Sequence, residues 1–222
     1  MSKKILLVGG CGFIGHNLAL HLKKKGFSVS ITDSLSVNNV LSFTDSDIKN
    51  KKLYTSILNN RIELLNKNEI NLIVQDARDY HAISKVYGDI DPDIIIHLAA
   101  VSHANKSNKD PHSTFDHSFR TLENTLDFAK NKKAHVIYLS SSMVYGNFNS
   151  KDANEEMPCK PIGIYGTLKY SGELLVKAYR QVFDLPYTII RPSALYGERC
   201  VSRRVGQIFI ENAIQGLDIS IN

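Results

Sequence analysis

One stretch near the start of the chain, Ile5-Leu-Leu-Val-Gly-Gly-Cys-Gly-Phe-Ile-Gly15, limits its possible folds more than any other. Four apolar residues, Ile5 to Val8, suit a buried strand, and Gly9, Gly12 and Gly15 then open a helix. Glycines at this spacing let the backbone turn tightly, approach an anionic group closely, and pack the new helix on its strand. The free N–H groups and positive dipole end of that helix would receive a dinucleotide pyrophosphate. Glycines also cluster in ordinary turns, so the surrounding chain has to support this reading.

Support begins with the next strand. Phe13, Leu18, Leu20 and Leu22 fall in the helix the glycines open, which ends near Gly26, a residue suited to a left-handed cap. Phe27 to Thr32 then read as a strand ending in Asp33, 18 residues after Gly15. A dinucleotide-binding unit places a carboxylate there to accept hydrogen bonds from the adenosine ribose. It would repel a 2′-phosphate, which favours NAD over NADP.

Further on, strands are predicted at Asn71 to Gln75, Pro92 to His97, His135 to Leu139 and Pro186 to Arg191. Helices are predicted around Ser56 to Asn66, from about Ser113 to Lys132, from Tyr165 to Phe183 and from Arg203 to Gly216. Residues 34–69 read as a polar excursion over the sheet edge. Small residues after the fourth strand, Leu98-Ala99-Ala100, suit either a flat cofactor lying on the backbone or tight helix packing. Strands alternating with helices at crossover spacing give an α/β fold, a doubly wound parallel sheet of the Rossmann type.

Composition excludes several alternatives. Of 222 residues 43% are hydrophobic and 22% charged, as in globular proteins, and no apolar run is long enough to span a bilayer. The Met-Ser-Lys-Lys start lacks the apolar core of a signal peptide, so a cytoplasmic location is expected. Cys11, Cys159 and Cys200 are widely spaced, which suggests neither a disulfide framework nor a zinc site. The net charge of +5 is spread along the chain, whereas nucleic-acid binding would want a concentrated basic stripe.

A second chemical signal is Tyr165-Gly-Thr-Leu-Lys169. Residues i and i+4 share a helix face, so the phenol and the ammonium can enter one pocket. Tyrosine, with a pKa of about 10, is a poor base at neutral pH, but an adjacent cation stabilises its phenolate. Upstream, Ser140-Ser141-Ser142 follows a strand at the sheet edge where parallel sheets bind ligands. A hydroxyl there can orient the substrate oxygen that gives up its proton.

Taken in order, these segments resemble the extended short-chain dehydrogenase/reductase family, in particular its NAD-dependent nucleotide-sugar epimerase and dehydratase branch. The resemblance rests on residues 9–15, Asp76-Ala-Arg-Asp79, His97-Leu-Ala-Ala100, Ser140-Ser-Ser-Met-Val-Tyr-Gly146, Tyr165-Gly-Thr-Leu-Lys169 and Arg191-Pro-Ser-Ala-Leu-Tyr-Gly197. It implies that Gly9, Gly12, Phe13, Ile14 and Gly15 hold the NAD pyrophosphate region and Asp33 the adenosine ribose. Asp76 and Ala77 would meet the adenine, and Leu98, Ala99 and Ala100 would line the cofactor. Tyr165 would be the catalytic base, with Lys169 on the nicotinamide ribose and Ser141 the catalytic hydroxyl. Ser142, Arg199 and Arg204 are the expected substrate contacts, with Arg203 a further cation beside a sugar-nucleotide diphosphate.

Within the branch, 4,6-dehydratases carry an Asp-Glu pair directly after the catalytic hydroxyl. Here Ser142 and Met143 stand at those positions, and a thioether cannot accept a proton. The expected activity is therefore epimerisation of a nucleotide sugar at C4 through a transient keto intermediate. The alternatives are a reductase or dehydratase of the same family, or a truncated protein that binds NAD without turnover. Ser118 and Ala194 replace asparagines found in many members, which bears on substrate identity. Members continue for on the order of a hundred further residues. Residues 1–198 are accordingly expected to form the NAD-binding domain and 199–222 the start of a truncated substrate-binding region. The resemblance also implies a nucleotide-sugar partner and a possible homodimer, with no nucleic-acid or membrane partner.

Overall fold

Leu6, Leu7 and Val8 are fully buried because they form a strand covered on both faces. In the computed structural model, which describes residues 2–44, 49–101, 104–148, 153–201 and 205–219, this strand is β1 (Lys4–Val8). It pairs with β2 (Ser28–Asp33) on one side and β4 (Ile94–His97) on the other. β3 (Asn71–Val74), β5 (His135–Leu139) and β6 (Tyr187–Ile190) complete a six-stranded sheet in the order β3-β2-β1-β4-β5-β6. Every pairing is parallel, as the sequence predicts.

Alternate side chains of β1 point to opposite faces, which splits the core in two. Ile5 and Leu7 pack with Ala19, Val29, Ile31 and Leu65 on the face covered by α1 (Phe13–Lys24) and α3 (Lys51–Lys67). Leu6 and Val8 pack with Tyr87, Leu122, Leu126 and Val176 on the other face. That face is covered by α4 (Tyr80–Ile90), α7 (Thr121–Lys132) and α8 (Gly163–Phe183). Within the 34–69 excursion, α2 (Val40–Thr44) precedes α3, which is longer than its apolar spacing predicts.

Helix α4 has no counterpart in the sequence-based assignment, although Asp79 caps it by accepting a hydrogen bond from the Ala82 N–H at 3.0 Å. The helix expected from Ser113 to Lys132 is divided. After α5 (Ala104–Lys109), α6 (Pro111–Phe115) starts behind the Asp110 cap, continues through a π-helical turn at Asp116–Arg120, and resumes as α7. Such a turn inserts an extra residue into the helical ladder and is frequent at functional sites. It places His117 and Thr121 at the cleft described below.

Beyond β6, residues 192–201 run without regular structure and lead towards α9 (Val205–Ile214). α9 docks on α3 through Glu211, which accepts hydrogen bonds from Tyr54 Oη at 2.8 Å and Asn50 Nδ2 at 2.9 Å. Val201 joins Phe43, Tyr54 and Leu58 in a third apolar cluster beneath this contact. The segment expected to begin a second region is thus anchored on the helices of the first. Among the described residues no helix is long and apolar enough to cross a membrane.

Candidate active site

In parallel sheets the crevice forms beyond the strand C-termini, where adjacent connections leave in opposite directions. Here that point lies between β1, which connects towards β2, and β4, which connects towards β5. A cleft of about 1260 Å³, counted out to open solvent, occupies it. Every residue that the sequence assigns to the cofactor pyrophosphate, adenosine ribose and adenine lines this cleft, namely Gly9, Gly12, Phe13, Ile14, Gly15, Asp33, Asp76 and Ala77, whereas Ser141, Ser142, Tyr165 and Lys169 are not among the residues lining it. Leu98, Ala99 and Ala100 line it as well.

The glycines have different physical duties. Gly9 turns the chain at φ 74°, and a Cβ on it would stand 2.7 Å from the Ala99 backbone. A Cβ on Gly15 would lie 2.3 Å from the Gly10 carbonyl, so Gly15 lets α1 close on its own turn. Gly12 has no such neighbour, the nearest atom being the Gly9 carbonyl at 3.5 Å. A side chain there would occupy the cleft, so the cradle fits a ligand that approaches the backbone itself.

Asp33 both lines the cleft and fastens the turn. Its carboxylate accepts hydrogen bonds from the Cys11 N–H at 2.9 Å and the Leu35 N–H at 2.7 Å. Burial pushes its pKa up, opposed by those two N–H groups. Asp76 is held by Arg78, whose Nε and Nη2 both bond the carboxylate. Although partial burial opposes it, hydrogen bonding to Arg78 brings the Asp76 pKa below its usual value.

Tyr165 and Lys169 both lie on α8, with the half-buried Tyr165 one turn before Lys169. Lys169 is only 6% exposed, and its Nζ donates to the Leu139 carbonyl at 2.6 Å while lying 5.1 Å from the Tyr138 ring centroid. Burial lowers the Lys169 pKa to about 8. Ser141, nearly buried, accepts a hydrogen bond from the Met143 N–H at 3.2 Å and so caps the short 3-10 turn Ser142–Tyr145. The Ser142 N–H donates to the Pro192 carbonyl at 3.0 Å. α8 reaches this turn because Gly166 follows Tyr165: a Cβ there would come within 2.8 Å of the Met143 carbonyl.

Behind these residues is a polar network that the sequence reading did not assign. Glu173, fully buried, accepts hydrogen bonds from Ser140 Oγ at 2.5 Å and from Arg191 Nε and Nη2 at 2.9 and 2.7 Å. It joins α8 to the ends of β5 and β6, fixing the helix that carries Tyr165 and Lys169 against the serine turn. Glu173 repeats the four-residue spacing of Tyr165 and Lys169, a signal that was available in the sequence.

Arg199 is placed differently from the expectation. Its Nε donates to His16 Nε2 at 3.0 Å and its Nη2 to Asn17 Oδ1 at 3.0 Å, while Nη1 pairs with Glu198 at 3.0 Å. These contacts turn the guanidinium towards α1, and Arg199 is not among the residues lining the cleft. Arg203 and Arg204 lie outside the described residues. Cleft residues that the sequence reading did not assign include Arg61 on α3, His117 and Thr121, and Leu195, Cys200 and Val201 after β6.

The strand order and the glycine turn at the crevice define a Rossmann-type fold with a dinucleotide cradle. The family model described as "NAD dependent epimerase/dehydratase family" matches residues 5–222, and the chain belongs to that family. Protein CapI of Staphylococcus aureus is 30% identical over 196 residues, covering 87% of this chain and 54% of CapI. UDP-glucuronate 4-epimerase 6 of Arabidopsis thaliana is 28% identical, covering 87% of this chain and 40% of that protein. The crystal structure of UDP-glucuronic acid 4-epimerase from Bacillus cereus, in complex with UDP-glucuronic acid and NAD, superposes with a TM-score of 0.83 at 26% identity. That match covers 98% of this chain and 65% of the other. The chain thus spans about half the length of these curated relatives.

Proposed function

We propose that the protein is an NAD-dependent 4-epimerase of a nucleotide sugar. The observation that carries this reading is the approach of α8, bearing Tyr165 and Lys169, to the Ser141 turn, in a chain whose glycine turn, Asp33 and Asp76 line one cleft. When bound, NAD supplies a reversible acceptor for the hydride that leaves the sugar carbon. Ser141 holds the substrate hydroxyl oxygen, and Tyr165 takes its proton as the carbonyl forms. Lys169 binds the nicotinamide ribose, and its charge stabilises the Tyr165 phenolate in a site of low dielectric. After the keto sugar has turned over in the pocket, Tyr165 returns the proton to the oxygen of the inverted centre.

Met143 supports epimerisation over dehydration, since elimination of water needs an acid and base beyond Tyr165. The test is incubation with UDP-glucuronic acid, the sugar nucleotide named for two of the relatives, and with UDP-glucose, followed by chromatography for the C4 epimer. Epimer formation without net change in nicotinamide absorbance is expected. Stoichiometric oxidation or reduction of added cofactor would instead identify a reductase. The cleft lining, which includes the glycine turn, Asp33 and Asp76 but not Ser141 or Tyr165, favours one second reading, a domain that binds NAD without turnover. Calorimetry showing NAD binding but no affinity for either sugar nucleotide would establish it.

A further inference from the structure

Arg199 and Arg61 reach the same segment from opposite sides. Arg61, fully buried on α3, directs Nε and Nη2 onto the Arg199 carbonyl at 3.1 and 2.5 Å. The Arg199 side chain extends the other way to His16 and Asn17 on α1, and Asn17 Nδ2 returns to the Glu198 carbonyl at 3.4 Å. These bonds hold Arg199 at φ 61°, a left-handed conformation disfavoured for a residue with a side chain. Cys200 and Val201, next along the chain, line the cleft.

The contact with His16 extends to the cradle. A guanidinium can only donate, so His16 Nε2 accepts, and in the neutral ring the proton therefore sits on Nδ1. Nδ1–H then donates to the Gly12 carbonyl at 2.8 Å. Gly12 is the glycine whose missing side chain leaves the cradle open. A single chain of hydrogen bonds thus joins α3, residues 198–199, α1 and the glycine turn.

We propose that Arg61 and Arg199 form a clasp that holds residues 197–201 shut as a strap along one wall of the dinucleotide cleft, and that the clasp sets how fast a bound dinucleotide leaves. The inference rests on the reading that the cleft binds NAD. Because Arg199 is spent on the clasp, it is a positioning residue and not a contact to the sugar-nucleotide diphosphate. Its neutral partner His16 couples strap closure to the carbonyl geometry of the glycine turn.

Two measurements on the full chain test this. In stopped-flow displacement of fluorescent etheno-NAD, Arg199→Ala and Arg61→Lys should release the nucleotide about tenfold faster or more, as expected on losing charge-assisted hydrogen bonds. Adding Asn17→Ala to Arg199→Ala should change the rate little further, because the clasp is already open. In the absence of nucleotide, iodoacetamide labelling read by mass spectrometry should accelerate at Cys200 but not at the buried Cys11. Labelling that rises equally at both cysteines would signal general unfolding and overturn the clasp for that variant; Arg199→Lys, which keeps the charge but lacks the fork, then serves as the second variant. Release within twofold of the unsubstituted protein, or unchanged Cys200 labelling, also overturns the clasp. If the unsubstituted protein fails to bind etheno-NAD, the cofactor reading falls, and Cys200 labelling still decides whether the strap is clasped.

Discussion

At the scale of single residues, the site joins groups whose surroundings pull their protonation in different directions. Tyr165→Phe is expected to abolish turnover while NAD affinity, measured calorimetrically, stays within a fewfold of the unsubstituted protein. Asp33→Ala should reduce the preference for NAD over NADP in the ratio of their dissociation constants, since the carboxylate that repels a 2′-phosphate is gone. Lys169 carries a stability cost that can be measured separately. Burial lowers its pKa from the ordinary lysine value of 10.5 to about 8. Between those values the unfolded chain binds the extra proton, so the penalty is complete below pH 8 and disappears as pH rises towards 10.5. The unsubstituted protein should therefore gain a few kcal/mol relative to Lys169→Met across that window, as read by urea denaturation. A constant difference would show that burial does not perturb this lysine.

At the scale of elements, the position of α8 decides whether the site exists. Periodicity alone predicts that helix, but its seat depends on Glu173 meeting Arg191 and Ser140 from two different strand ends. Breaking a buried pair by removing one partner typically costs about 3–5 kcal/mol, because it leaves an uncompensated charge. Glu173→Gln should approach that loss in denaturant titrations, and on the proposed function it should lower kcat more than NAD affinity, because Glu173 is not among the residues lining the cleft. The π-helical turn was not legible. Its residues have ordinary helical propensities, and the extra residue is stabilised by contacts such as the Val101 N–H donating to Ser118 Oγ at 3.1 Å, from a distant loop. α4 was missed for another reason: its short apolar spacing, with Ile83 and Tyr87 fully buried, lies between two strands whose patterns are far stronger.

At the scale of the whole molecule, two histidines are buried neutral on opposite faces of the sheet. Burial brings His16 down to a pKa of about 4 and His97 to about 3, the latter aided by the Lys169 charge. An unfolded histidine takes up its proton near pH 6.5. As pH falls below that value the unfolded state binds more protons than the folded one, so stability should decline steadily from pH 6.5 towards pH 4 and below. His16→Asn should flatten part of that decline in denaturation midpoints measured across about pH 7 to 4. The sequence by itself determined the parallel sheet, the glycine turn and the order of the chemical groups. These depend on local patterns: the period of two along strands, glycine sterics, and the four-residue spacing on α8. Tertiary structure alone decided that Arg199 faces α1, that Arg61 is buried against the strap, and that His117 reaches the cleft. Each of those placements depends on partners more than a hundred residues away or on a helical irregularity, and neither leaves a local signal in the order of amino acids.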